Sequence, residues 1–342
     1  MGQSLAVKYR PTKFEDVVEQ TTTVTILRKV LETKKFKNCY LFSGKTGSGK
    51  TTCARIFANA INQGVGDPIE LDCASNGGVD QVRAIMDSAN QRSLVGEYKI
   101  FILDECHAIT SQGWQAFLKG IEETPKYTIF IFCTTEPNKV PATVLNRMQR
   151  YNFSAISNVG IRDRLIKVCQ VEGFTNYNDT CDLISKMVQG SMRDALTYLE
   201  QCADYSTDLS MDNAKKVLGN LSYETMFKLT WALNGGEQGE ILKIIDALYD
   251  GGVDLKNFIA NYLAFNLDLT KYIIFKNIEL TNIPSYLAAP GNEVVQYTVE
   301  FPNSLQRFNT IIEGLLDLRA AIKYDPSYKY TIEASLIKLS VK

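Results

Sequence analysis

Gly44-Lys45-Thr46-Gly47-Ser48-Gly49-Lys50-Thr51 is the stretch on which the reading of this chain turns. It has the form G-x-x-x-x-G-K-T. An apolar run, Cys39-Tyr40-Leu41-Phe42, precedes it, and a helical pattern over residues 51–61 follows, with Ala54, Phe57 and Ala58 on one face. A glycine-rich turn alone would be only a turn; strand, loop, Lys-Thr pair and helix in this order predict a phosphate cradle. The glycines let backbone N–H groups turn inward around an anion, and the helix adds the positive end of its dipole. Lys50 can reach the β- and γ-phosphates of a nucleotide, and the Thr51 hydroxyl can ligate Mg²⁺. The cradle is expected to extend through Thr52.

Further along, Lys99-Ile100-Phe101-Ile102-Leu103-Asp104-Glu105 reads as a buried strand. It delivers two carboxylates to its C-terminal end, where ligands of open α/β sheets bind. Asp104 suits Mg²⁺ holding, and Glu105 suits general-base work on an attacking water. Apolar runs at residues 69–71, 129–133 and 151–153 complete a set of five. They are mostly continuous, as strands covered on both faces are. Residues 112–122 place Trp114, Phe117, Leu118 and Ile121 on one helical face, with Trp114 in the core. The first half is therefore predicted to be α/β with a parallel sheet. His107, the only histidine, is expected to pack or to relay rather than to hold a metal. The paired acids Glu122-Glu123 and Glu15-Asp16 are expected on the solvated surface.

The 342 residues include 37 Lys+Arg, 38 Asp+Glu and 45% hydrophobic side chains. Such a balance excludes a disordered or fibrous chain and a uniformly basic nucleic-acid coat protein, and the length suggests two or three domains. Residues 1–155 carry 19 basic and 15 acidic side chains and the remainder 18 and 23, so a polyanion is expected on the first half. Eight cysteines without a C-x-x-C pair read as buried thiols in a reducing compartment. With no signal peptide and no apolar run of bilayer length, a cytoplasmic location away from membranes is expected. From about residue 157 helical periodicity dominates, as in Ile241, Ile244, Ile245, Leu248 and Tyr249, then Phe258, Ile259, Tyr262 and Leu263. Breaks fall at Gly219-Asn220, Gly251-Gly252 and Pro290-Gly291. The expected division is 1–156 for the α/β domain, 157–219 for a small helical unit and 220–342 for a larger one.

Together these motifs resemble the AAA+ clamp-loader ATPases, and among them the short form of the gamma/tau subunits of bacterial DNA polymerase III. Lys8-Tyr9-Arg10-Pro11 through Val17-Val18-Glu19-Gln20 matches the N-terminal box that packs on adenine and ribose, which implicates Tyr9, Arg10, Pro11, Val17 and Val18. Asp104–His107 matches Walker B, and Thr134-Thr135-Glu136-Pro137-Asn138 the sensor 1 region, with Thr135 at the polar position. Asn146-Arg147-Met148 lies where the family has Ser-Arg-Cys, so Arg147 takes the finger position, and Gly190-Ser191-Met192-Arg193 matches sensor 2, centred on Arg193. The match covers residues 5–203. It implies a P-loop AAA+ domain, a helical lid, an all-α collar, and ATP with Mg²⁺. The family's partners would be other loader subunits in a pentamer, a ring-shaped sliding clamp and the backbone of primer–template DNA. DNA contacts would start near Ser75, Asn76, Gly77 and Gly78, with Arg83 adding to them. Bacterial members usually carry a four-cysteine zinc insertion after the P-loop helix. Asn62-Gln63-Gly64-Val65-Gly66-Asp67-Pro68 fills that place, so no zinc is expected. The Lys/Asn/Tyr-rich composition suits an AT-rich bacterium or a bacteriophage.

A motor subunit of a clamp loader is the leading expectation, with ATP binding opening the clamp and DNA triggering hydrolysis and release during replication. A non-hydrolysing scaffold subunit would not need Lys50, Thr51, Asp104, Glu105 and Arg193. Another AAA+ remodeller, such as a Holliday-junction motor, differs in ring count. A small-molecule P-loop kinase would leave the sensor pattern unexplained.

Overall fold

The three central strands of the sheet carry unbroken apolar runs because alternate side chains feed two different cores. The structure, a computed structural model, describes residues 3–123, 125–218, 223–283 and 304–341. Five parallel strands, β1 (Cys39–Gly44), β2 (Ile69–Asp72), β3 (Lys99–Asp104), β4 (Thr128–Thr134) and β5 (Gln149–Phe153), lie in the order β2-β3-β4-β1-β5. Leu41, Phe101, Leu103, Phe130 and Phe132 face one side, against Trp114 and Phe117 of the helix Ser111–Glu122. Tyr40, Phe42, Ile100, Ile102, Ile129 and Ile131 face the other, against Leu27, Ala54 and Phe57. A strand covered on both faces cannot alternate in polarity. Phe130 and Phe132 both sit against the Phe117 ring, with centroids 5.9 and 5.5 Å away.

The two edge strands depart from the continuous apolar expectation. β2 is largely solvent-exposed, since an edge strand has a neighbour on one side only. β5 alternates, with Tyr151 and Phe153 buried and Arg150 and Asn152 exposed. Trp114 is in the core as expected, and all eight cysteines are buried free thiols. No described helix is long and apolar enough to cross a membrane.

Beyond the sheet the described chain is helical. It divides into two compact units, one of residues 1–168 with 188–197, the other of residues 169–187 with 198–342. The expected break at Gly219-Asn220, and with it the second domain boundary, lies outside the described residues, as does Pro290-Gly291. In the second unit, Phe258, Tyr262 and Leu269 of the helix Leu255–Phe275 share a core with Phe227, Ile241, Ile245, Phe308, Leu315 and Ile332. The buried phenol of Tyr262 is satisfied: its Oη lies 2.8 Å from Thr230 Oγ1.

The two-faced sheet makes a stability prediction. Phe130→Ala removes a fully buried ring from the aromatic layer and is expected to cost about 3–5 kcal/mol of unfolding free energy. Val171→Ala, at a side chain 73% exposed, is expected to cost less than about 0.5 kcal/mol. Urea denaturation of the two variants checks the contrast, and equal midpoints would contradict this packing.

Candidate functional site

Parallel pairing brings the C-terminal ends of β1, β3 and β4 together, and the phosphate loop leaves from β1. Gly47 has φ +70°, and a Cβ there would lie 2.0 Å from Ser191 Oγ. Gly49 has φ +98° and caps the helix Lys50–Ile61. Both positions need a residue without a side chain. Lys50 is buried, and its ammonium donates to the carbonyls of Gly44 and Lys45, each at 2.9 Å. Burial pushes its pKa down, partly offset by the nearby Glu105 and Asp104. Gly44 and Lys45 thus hold the lysine, while Thr46 through Thr52 line a cavity above the sheet.

The carboxylates expected at the end of β3 are there. Thr51 Oγ1 donates to Asp104 Oδ2 at 2.7 Å, and the Glu105 N–H donates to Asp104 Oδ1 at 3.0 Å. A hydroxyl and a carboxylate oxygen side by side form a hard-oxygen donor set that fits Mg²⁺. Glu105 sits at φ +47°, ψ +43°, a left-handed conformation rare for a residue with a side chain. Its Oε2 accepts from Thr135 Oγ1 at 3.4 Å, which places the threonine expected at the sensor 1 position beside Glu105.

Tyr9, Arg10, Pro11, Val17 and Val18 line the same cavity, and so does Arg193. Burial lowers the Arg10 pKa, and the positive charges of Arg55 and Arg193 lower it further. Among the described residues neither Arg10 nor Arg193 makes an ion pair. Arg10, Lys50, Arg164 and Arg193 thus line one hollow, a cationic lining that suits an anion. Sequence reasoning missed Ala6, Asp16, Ile156, Arg164, Met192 and Leu196 in the lining. Helical spacing carries Leu196 with Arg193 on the helix Met192–Tyr205. Arg164 had no motif to mark it; its Nη2 donates to the Tyr9 carbonyl at 3.1 Å and so holds the N-terminal segment over the cavity. Gln20 fastens the loop from the other side, donating to the carbonyls of Ser48 at 3.4 Å and Ser154 at 2.8 Å.

Two groups of expected residues lie elsewhere. Ser75 and Asn76 end the short helix Cys73–Asn76, and Gly77 and Gly78 lead into the helix Val79–Ala89. Gly77 is pinned, its carbonyl accepting from the Thr110 N–H at 3.0 Å, and the exposed Arg83 lies 3.4 Å from Asp80. Arg147 precedes β5, whose first residue pairs with Tyr40 near the start of β1. It therefore stands at the end of the sheet opposite the phosphate loop, roughly 15 Å away at a strand rise of about 3.3 Å per residue. Its guanidinium donates to the Thr143 carbonyl at 2.6 Å and pairs with Glu122. Glu122, expected to be merely solvated, is the partner of that arginine.

The sequence of residues 69–157 matches a family model described as the delta subunit of DNA polymerase III. The tau subunit of DNA polymerase III from Bacillus subtilis is 34% identical over 292 residues, covering 79% of this chain and 52% of the relative. The chain resembles the gamma/tau subunits of bacterial DNA polymerase III. The gamma/tau subunit of Mycoplasma genitalium is 31% identical over 82% of the chain and 51% of its own length. The Escherichia coli tau subunit is 26% identical over 98% of the chain and 55% of its own length. The chain thus spans about half the length of the gamma/tau relatives it matches. Among solved structures, the Thermotoga maritima RuvB Holliday junction branch migration motor superposes with a TM-score of 0.52 at 15% identity, covering 72% of this chain and 86% of that one. At that identity the likeness shows the fold alone.

Lys50→Ala removes the ammonium from a loop otherwise built of backbone amides. Binding of a nucleoside triphosphate is expected to weaken at least about a hundredfold, the worth of two charge-assisted hydrogen bonds, with the melting temperature little changed. Titration with a fluorescent triphosphate checks it, and wild-type affinity would remove the phosphate-site assignment.

Proposed function

We propose that this chain is an ATP-hydrolysing motor subunit of a sliding-clamp loader in DNA replication. The observation that carries the proposal is the shared cavity of Lys50, Thr51, Asp104, Glu105, Arg10 and Arg193, together with the likeness to gamma/tau. Tyr9, Pro11, Val17 and Val18 hold adenine and ribose. Thr46 through Thr52 and Arg193 take the phosphates, with Gly44 and Lys45 supporting Lys50. Thr51 and Asp104 would hold Mg²⁺, which when bound shields the charge of the β- and γ-phosphates. Glu105 accepts a proton from water as its oxygen bonds to the γ-phosphorus. The bond from that phosphorus to the β–γ bridging oxygen breaks, and ADP and phosphate leave. Thr135 steadies the glutamate and the γ-phosphate region.

Arg147 cannot serve its own site from the far end of the sheet. A neighbouring subunit's nucleotide is the target open to it, as for arginine fingers supplied in trans. Its pairing with Glu122 joins side chains 41% and 49% exposed. Such a pair is worth at most about 1 kcal/mol, so releasing the arginine costs little. The proposed assembly is a pentamer held by residues 220–342 as a collar, with residues 157–219 as the lid on domain 1–156. Primer–template DNA is contacted through its backbone at Ser75–Gly78 and Arg83. A scaffold subunit without hydrolysis is disfavoured by the complete Thr51–Asp104–Glu105 arrangement. A Holliday-junction motor has the fold in its favour and nothing further.

Glu105→Gln is expected to keep ATP affinity and to lower steady-state hydrolysis at least about a hundredfold, since an amide does not accept the proton. Full hydrolysis in that variant would assign the base elsewhere.

Arg147→Ala is expected to fold and bind ATP normally and to lose roughly 10³-fold in DNA-stimulated hydrolysis in the assembled complex. Mixing Arg147→Ala with Lys50→Ala subunits creates some interfaces with an intact phosphate loop and an intact finger, and these should recover activity. No recovery in confirmed mixed assemblies would defeat the shared site.

A further inference from the structure

His107 is the only histidine of the chain, and the chemistry above does not use it. It follows Glu105 in the short turn Cys106–Ala108, and its side chain is 20% exposed. Nδ1 lies 3.3 Å from Glu105 Oε2 and 3.1 Å from Thr134 Oγ1. Nε2 lies 3.5 Å from Glu136 Oε1. Thr134 Oγ1 also accepts from the Glu136 N–H at 3.0 Å, so the ring is seated between the end of β4 and the turn after β3. One imidazole therefore joins the Walker B glutamate to the sensor 1 segment.

Glu105 needs such a partner. A general base must stay within hydrogen-bond reach of the water it deprotonates, and a glutamate side chain has three torsions to lose. The left-handed backbone at Glu105 fixes where the side chain starts, not where its carboxylate ends. Among the described residues, the side chains that touch the carboxylate are His107 and Thr135, both at Oε2. Oε1 is left for water. On the same side of the ring, Thr134 Oγ1, itself held by the Glu136 N–H, seats Nδ1, so the tautomer with the proton on Nδ1 presents it to Oε2 of Glu105.

We propose that His107 is a positioning residue for hydrolysis: it donates from Nδ1 to Oε2 of Glu105, is itself seated by Thr134, and so keeps Oε1 on the attacking water. The inference rests on the reading of Glu105 as the base. His107 neither gains nor loses a proton in the net step; the water's proton goes to Oε1 of Glu105.

The test uses the full chain in its DNA-stimulated assembly. His107→Ala is expected to lower kcat roughly tenfold or more, the usual scale for removing an outer partner, with KM and nucleotide affinity within about twofold of wild type. His107→Gln, whose amide can donate to Glu105, should recover much of the loss. In a Glu105→Gln background, His107→Ala should have no further effect on kcat, because the group it positions is gone. A packing role alone would add to the Glu105→Gln loss, weaken nucleotide binding and lower the melting temperature. A second readout needs neither nucleotide nor turnover. With one histidine, ¹⁵N-labelled histidine gives a single set of imidazole signals. Glu105→Gln and Glu136→Gln should each shift it, and Glu123→Gln should not. Unchanged kcat in His107→Ala, or imidazole signals indifferent to Glu105 and Glu136, would overturn the positioning role while leaving the base intact. Undiminished hydrolysis in Glu105→Gln would instead overturn the reading on which it rests.

Discussion

One hydrogen bond ties this molecule's chemistry to its architecture: the Thr51 hydroxyl donates to Asp104 at 2.7 Å. It joins the first turn of the helix after β1 to the end of β3, two strands separated in the sheet by β4. That bond can form only if the strands are parallel, in this order and in this register. A slip of one residue would turn every side chain of a strand to the other face, sending Phe101 and Leu103 into the wrong core. The two aromatic and aliphatic layers that fix the register are thus also what fixes the spacing between phosphate loop and carboxylates.

Much of this was legible in the sequence, for physical reasons that can be named. The phosphate loop is local: its glycines, lysine and threonine act within a few residues of one another, so spacing alone carries the geometry. The interior strands were legible because burial on both faces leaves an unbroken apolar run. β2 was found despite being exposed, but its exposure was not foreseen, since strand order is a tertiary fact. Arg164 and Ile156 were invisible for the same reason. They reach the cavity through the fold, and their residue types carry no chemical signature at their positions. Glu122 looked like any surface acid until the fold set Arg147 beside it. The left-handed backbone at Glu105 could not be read either, because glutamate has no preference for it and only the surrounding turn imposes it.

The sheet also separates two kinds of function. The residues proposed to bind a nucleotide line one cavity at the C-terminal ends of the strands, and Arg147 stands at the other end. On the proposed reading, a subunit with this layout is complete for binding and incomplete for catalysis. The energetic asymmetry is large: a surface ion pair with Glu122 contributes at most about 1 kcal/mol, whereas an arginine delivered to a transferring phosphoryl group is worth about 4–7 kcal/mol as a 10³–10⁵-fold rate effect. Selection on such an arginine acts on assembly rather than on the folded stability of one chain.

If nucleotide binds within one chain and is hydrolysed between chains, turnover must depend on protein concentration. Each isolated chain should bind one triphosphate with negligible hydrolysis. Turnover per chain should then rise as subunits assemble and level off once every interface is formed. Hydrolysis by the isolated chain at a rate independent of concentration, and equal to that of the assembly, would contradict it.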